Sequence, residues 1–169
     1  MTCDMRLTAY FILVYLAIGL QIGMGDFVRV GSAGARPDLV LLAVIFIAIH
    51  APRDAALLGA FGIGLAKDMT TLSPLGLYAI AYSIVGMFTI STQEYVYRAH
   101  PVTHVTLGFF GSLIAGAVVL IHGWIKGPPA SFAEVFGSAL YTALLAPLVL
   151  GALNLAKGAF SFRRRQRAF

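Results

Sequence analysis

The stretch LAKDMTTLSPLGLYA, Leu65 to Ala79, places a lysine, an aspartate, two threonines, a serine and a proline within a chain that is otherwise suited to hydrocarbon. A helix passing through Lys67 and Asp68 has to end soon after them. Pro74 lacks an amide donor and disfavours the helical conformation of Ser73, and Gly76 follows closely. The segment reads as a structured turn between two helices, with Thr70, Thr71 and Ser73 hydrogen-bonding nearby backbone around a small cavity, because irregular backbone at membrane depth needs protein or water to satisfy it. A plain returning loop whose charges face lipid headgroups is the other reading of the same residues.

The rest of the chain sets that context. It has 169 residues, 59% of them hydrophobic and 11% charged, with a mean hydropathy of +0.87. A soluble domain carries about a quarter charged residues. Here the polar residues are too few to coat a soluble globule and the apolar ones fall in long runs. The expectation is an all-α, polytopic membrane helical bundle forming a single domain over residues 1–169. The lone Cys3 rules out a disulfide framework or a cysteine metal site within one chain. The net charge of +5 raises the question of nucleic acid. Against that, Arg163, Arg164, Arg165 and Arg167 follow an apolar segment directly, which is the pattern of a membrane-surface anchor beside anionic lipid, and no nucleic-acid partner is expected.

Six spans can be laid along the chain. Leu7 to Met24 is the first, and Gly23-Met24-Gly25-Asp26 is a poor signal-cleavage site. Leu39 to Ile49 and Ala55 to Ala66 flank the turn Ala51 to Asp54. Each covers only about 17–18 Å at about 1.5 Å per residue, so they form either a re-entrant hairpin or helices extended through their polar ends; extension is the favoured expectation. Leu75 to Thr92, Val102 to Ile125 and Phe132 to Ala156 complete the set, with a kink expected at Pro147. With both termini cytoplasmic, Arg6, Arg53, Arg98, Lys157 and the four tail arginines lie inside, and Arg29, Arg36, Lys67 and Lys126 outside. This agrees with the positive-inside rule. Small residues at close intervals, Gly19 and Gly23, Ala60 and Gly64, Ser112 and Gly116, Ala139 and Ala143, suit helix packing in lipid, within the bundle or against a partner.

On this topology the second and third helices are antiparallel neighbours. Asp38 at the start of one and Asp68 at the end of the other reach the same depth, each beside a basic residue. A charge costs at least a few kcal/mol in hydrocarbon unless paired or hydrated, so Arg36, Asp38, Lys67 and Asp68 are expected to meet one another or to line a wet recess. Pro37 fits the first turn of the second helix, and Asp38 complements its dipole.

Arg36-Pro37-Asp38-Leu39-Val40-Leu41-Leu42, then Pro52-Arg53, then Gly62-Ile63-Gly64-Leu65 and Asp68, then Pro74-Leu75-Gly76-Leu77, resembles the family of the rod-shape-determining membrane protein MreD. The likeness spans roughly residues 36–79. It implies a non-enzymatic inner-membrane scaffold of the cell-wall elongation (rod) complex that controls cell shape and peptidoglycan synthesis. The implied fold is similar to the substrate-binding subunits of energy-coupling-factor transporters. The implied partners are MreC, then MreB, RodA and a class B penicillin-binding protein. On the same reading the outer polar cluster Arg36, Pro37, Asp38, Lys67, Asp68, Ser73, Pro74 and Gly76 contacts a partner or ligand. Lys67 departs from the family pattern and can fill by self-pairing a pocket that a ligand would otherwise use.

Catalytic chemistry finds little support. His100 and His104 have helical spacing, but Pro101 lies between them and no Glu-x-x-His pattern accompanies them; His50 and His122 fall at opposite ends. Gly111-Ser112-Leu113 lacks a nucleophile turn, and Gly59 to Gly64 lacks the preceding strand of a phosphate loop. No enzyme, metal or cofactor is expected. Gln93 to Arg98 reads as a cytoplasmic loop anchored by Tyr95 and Tyr97 at the interface, with a contact surface for a cytoskeletal partner as the alternative. The alternative function is a substrate-capture subunit of a vitamin-type transporter. Against it, few aromatic and polar groups occupy the outer loops.

Overall fold

The computed structural model describes residues 7–24, 36–71, 74–92, 101–126 and 131–160. Ser73, the loop at 93–98 and the tail arginines Arg163, Arg164, Arg165 and Arg167 lie outside the described residues. Among those residues there are six helices and no strand: α1 Leu7–Met24, α2 Leu39–His50, α3 Arg53–Thr70, α4 Leu77–Thr92, α5 Pro101–Lys126 and α6 Phe132–Phe160. α5 and α6 are long and apolar enough to cross a bilayer.

The bundle is built around α2. Every residue from Val40 to Ile49 is buried, and α1, α3, α4, α5 and α6 all pack on this helix. Its run of Val, Leu, Ile and Phe has no polar stripe, which is the pattern of a helix enclosed on all sides. The surrounding helices turn large apolar side chains outward. Tyr15 is 84% and Leu155 90% exposed, and Leu58, Trp124, Leu144 and Leu148 are also exposed. Water would not tolerate so continuous an apolar surface.

The starts of α2 and α4 differ from expectation, whereas α3 matches it. α2 is not extended past Asp38, which is its N-cap, so it gains only His50 and stays at twelve residues. α3 does extend through its polar ends, from Arg53 to Thr70. α4 begins at Leu77, not Leu75, because Gly76 adopts a φ of 99°, a left-handed conformation that breaks the helix and favours glycine. α6 continues as helix through Pro147.

Glycine enables close approach at two contacts. A Cβ on Gly64 would fall on the carbonyl of Tyr78 and 2.5 Å from Ala79 Cα, so α3 and α4 touch backbone to backbone. A Cβ on Gly116 would meet the Val135 side chain where α5 and α6 pack, and Gly108 lies against Ala143 and Ala146 in the same seam. Ala60, Ala139 and Ala143 are buried. Gly19 and Gly23 do not pack within the bundle among the described residues: nothing lies within 4 Å of a Cβ at either and both face outward, where the expected alternative places a partner. Gly64→Ala should destabilise the purified protein by about 3 kcal/mol or more, since backbone has to shift. Gly19→Ala should be neutral or slightly stabilising. Thermal melts of both variants in detergent check the contrast.

Candidate functional site

The second helix starts inside the bundle, and the chain leading into it is held from two sides. Gln21 of α1 donates from Nε2 to the Pro37 carbonyl (3.0 Å) and accepts from the Leu39 amide at Oε1 (2.8 Å). From α6, Ser138 Oγ accepts from the Arg36 amide (3.2 Å) and Thr142 Oγ1 from the Asp38 amide (3.0 Å). Alternate residues of an extended segment point to opposite sides, so α1 takes positions 37 and 39 while α6 takes 36 and 38. Non-helical backbone at this depth thereby finds its partners in side chains. Sequence reading missed Gln21, Ser138 and Thr142. The signal for Gln21 was its place as an amide near the end of an otherwise apolar span.

Asp38 then joins two buried groups. Its Oδ1 accepts from the Leu41 amide as an N-cap (3.2 Å), and its Oδ2 accepts from Lys67 Nζ (2.7 Å) and from the Tyr82 hydroxyl (2.7 Å). Lys67 also donates to the Tyr82 oxygen, closing a three-membered ring of hydrogen bonds. Its ammonium lies 4.2 Å from the Tyr78 ring centroid and 5.0 Å from that of Tyr82, which adds cation–π attraction. Tyr82 is completely buried. It was not anticipated, although Tyr78 and Tyr82 stand one helical turn apart on α4, facing the end of α3.

Of the four charges expected to meet or to line a recess, Asp38 and Lys67 meet, Arg36 lines a recess beside them, and Asp68 is engaged elsewhere. Asp68, only 2% exposed, accepts from the backbone amides of Gly76 (2.9 Å), Tyr78 (2.9 Å) and Ala79 (3.2 Å). It thus caps α4 from the neighbouring helix, taking up donors that the first turn leaves without partners and sitting at the positive end of that helix dipole. Pro74 and Gly76 shape the turn that aims those amides at it. The end of α3 is finished by hydroxyls: Thr70 and Thr71 both donate to the Lys67 carbonyl (2.9 Å each). Among the described residues Arg36 pairs with neither carboxylate.

Beside this cluster lies a recess of about 520 Å³. Arg36, Asp38, Lys67, Thr70 and Thr71 line one part of it, and Ser112, Gly116, Glu134 and Ser138 another. Ser112 therefore faces the recess, in addition to its expected place on the packing face of α5. At the other end of α2, His50 stacks on Phe46 at 4.4 Å between ring centroids, with Nδ1 2.9 Å from the Phe46 carbonyl. Among the described residues no group of three or more His, Cys, Asp or Glu side chains could hold a metal ion.

The profile of the family described as rod shape-determining protein MreD matches residues 4–154. This chain belongs to the MreD family. Membership assigns it a role in rod shape determination and makes it a membrane protein, within a structural, shape-determining family that is not a known enzyme family. Comparison with curated proteins gave no match. Comparison with solved structures gave none either. In this MreD-family chain, the Arg-Pro-Asp and Pro-Leu-Gly-Leu segments form the lead into α2 and the turn into α4.

Breaking a buried pair leaves an uncompensated charge. Asp38→Asn and Lys67→Met should each cost about 3–5 kcal/mol. The double variant should cost clearly less than the sum, with a coupling of about 1 kcal/mol or more. A double-mutant cycle of thermal or denaturant unfolding in detergent measures it, and additive losses would remove the pairing.

Proposed function

We propose that this chain is a non-enzymatic, multi-pass scaffold of the cell-wall elongation machinery in the inner membrane. Six helices cross the bilayer and both termini are cytoplasmic, so the Asp38 cluster sits at the periplasmic end. The chain pairs with MreC and, through it or beside it, with MreB, RodA and a class B penicillin-binding protein. The observation that carries this reading is the match of the MreD profile to nearly the whole chain. The geometry supports it: Lys67 and Asp38 are engaged with each other, and Asp68 with backbone, an arrangement that holds helix ends rigid. The exposed apolar faces of α1 and α6 suit lipid and partner helices. Arg163, Arg164, Arg165 and Arg167 serve as a membrane-surface anchor.

A second reading is favoured by the recess of about 520 Å³. It takes the chain as a substrate-capture subunit, similar in fold to those of energy-coupling-factor transporters. Depletion followed by microscopy separates the two. Rounded cells support the scaffold; normal rods with lost uptake of a solute support capture. Charge exchange tests the cluster within the scaffold: Asp38→Lys and Lys67→Asp should each abolish co-purification of the complex in mild detergent, and the double variant should restore it. Intact assembly and rod shape in both single variants would remove the cluster from the binding role.

A further inference from the structure

We propose that the recess above the start of α2 is a binding site for a zwitterion, a small molecule or headgroup carrying one ammonium and one anionic oxygen group. Its volume of about 520 Å³ falls within the roughly 300–1,000 Å³ of small-molecule sites. At about 30 Å³ per molecule, water alone would need some seventeen copies to fill it.

The charges lining the recess select the class. Lys67 and Asp38 cancel one another at 2.7 Å, so neither offers a net field to a ligand. Arg36 and Glu134 also line the recess, and neither forms an ion pair with a described residue. They come from separate elements: Arg36 from the lead into α2, and Glu134 from the first turn of α6. Ser138 accepts from the Arg36 amide one helical turn beyond Glu134, which sets the Arg36 backbone beside the turn of α6 that carries Glu134. An anion alone would meet Glu134 and a cation alone would meet Arg36. A molecule with both charges satisfies both.

Ser112 supplies an independent observation. It lies mid-way along α5, is 7% exposed, lines the recess and has no hydrogen-bond partner among the described residues. Four helical hydroxyls, those of Ser83, Thr92, Thr106 and Thr142, return to the carbonyl four residues back, and that of Thr89 does not. The Ser112 hydroxyl does not either, and its oxygen opens onto the recess. An occupant of the recess provides that partner. Ile18, Val40 and Val119 give the recess an apolar wall for the uncharged part of the same molecule.

Two sources share this chemistry: a zwitterionic lipid headgroup entering from the bilayer, and a free solute. The test uses the purified full chain in maltoside detergent, with dihexanoyl phosphatidylethanolamine and glycerophosphoethanolamine as probes and dihexanoyl phosphatidylglycerol as the anionic control. Binding is read by calorimetric titration. Saturable binding of an ethanolamine probe, about tenfold or more tighter than the glycerol lipid, is expected. Arg36→Gln and Glu134→Gln should each weaken it roughly tenfold, and Ser112→Ala about fivefold. Binding of the lipid form alone assigns a headgroup; binding of both forms assigns a solute. Ligand-free melts of each variant separate misfolding from lost affinity, and the comparison of probes on the unaltered chain needs no variant. No saturable binding of either ethanolamine probe, equal binding of the glycerol lipid, or unchanged affinity in folded Arg36→Gln and Glu134→Gln overturns the site. The inference does not rest on the scaffold reading, because binding is read on the isolated chain.

Discussion

At about 1.5 Å per residue, the twelve residues of α2 extend roughly 18 Å, well short of the roughly 30 Å hydrocarbon layer. The helix is nevertheless at the centre of the bundle, so at least one of its ends is buried in the protein. At that end the backbone from Arg36 to Asp38 is not helical, and it and the first amide of the helix have to find partners outside the helix. Gln21, Ser138 and Thr142 supply them, and the recess is the space left where the central helix stops while its neighbours continue.

The two carboxylates of the cluster are stabilised in different ways. Asp38 carries a formal counter-charge, Lys67, with Tyr82 as a shared donor and acceptor that lets all three groups satisfy one another. Asp68 has no counter-ion among the described residues and relies on three amides and a helix dipole. In a medium of low dielectric both solutions are worth more than on a wet surface, and removing one member of the ion pair leaves a buried charge uncompensated. Asp38 ties α2 to α3 and α4, and Asp68 ties α3 to α4. The same short stretch of α3 thus fastens three helices at one level, and the backbone contact at Gly64 lets α4 come near enough for both.

Much of this was legible in the sequence. Long apolar runs separated by proline, glycine and charge gave the helices, because in a bilayer composition and length are strong constraints. The Arg36-Pro37-Asp38 and Lys67-Asp68 pairs announced a polar cluster, because isolated charges are expensive there. What could not be read was which charge met which. Lys67 and Asp68 are adjacent in sequence but point to different neighbours, and a helix separates consecutive residues by about a quarter turn. Tyr82 and Thr142 were hidden for a related reason: each is a polar tip on an otherwise acceptable apolar helix, and only the packing shows that the tip is used. Gly19 and Gly23 show the opposite limit, since no described helix lies against them. Their spacing permits close approach, but spacing does not say that another helix is present on that side.

The pairing of Asp38 with residues 29 and 44 positions further along also bears on biogenesis. During synthesis the start of α2 leaves the ribosome well before α3 and α4 are complete. Until they arrive its carboxylate has no counter-charge, and burying that group alone in lipid costs a few kcal/mol. Pairing with Lys67 and Tyr82 removes that cost, which favours the three segments partitioning as one unit.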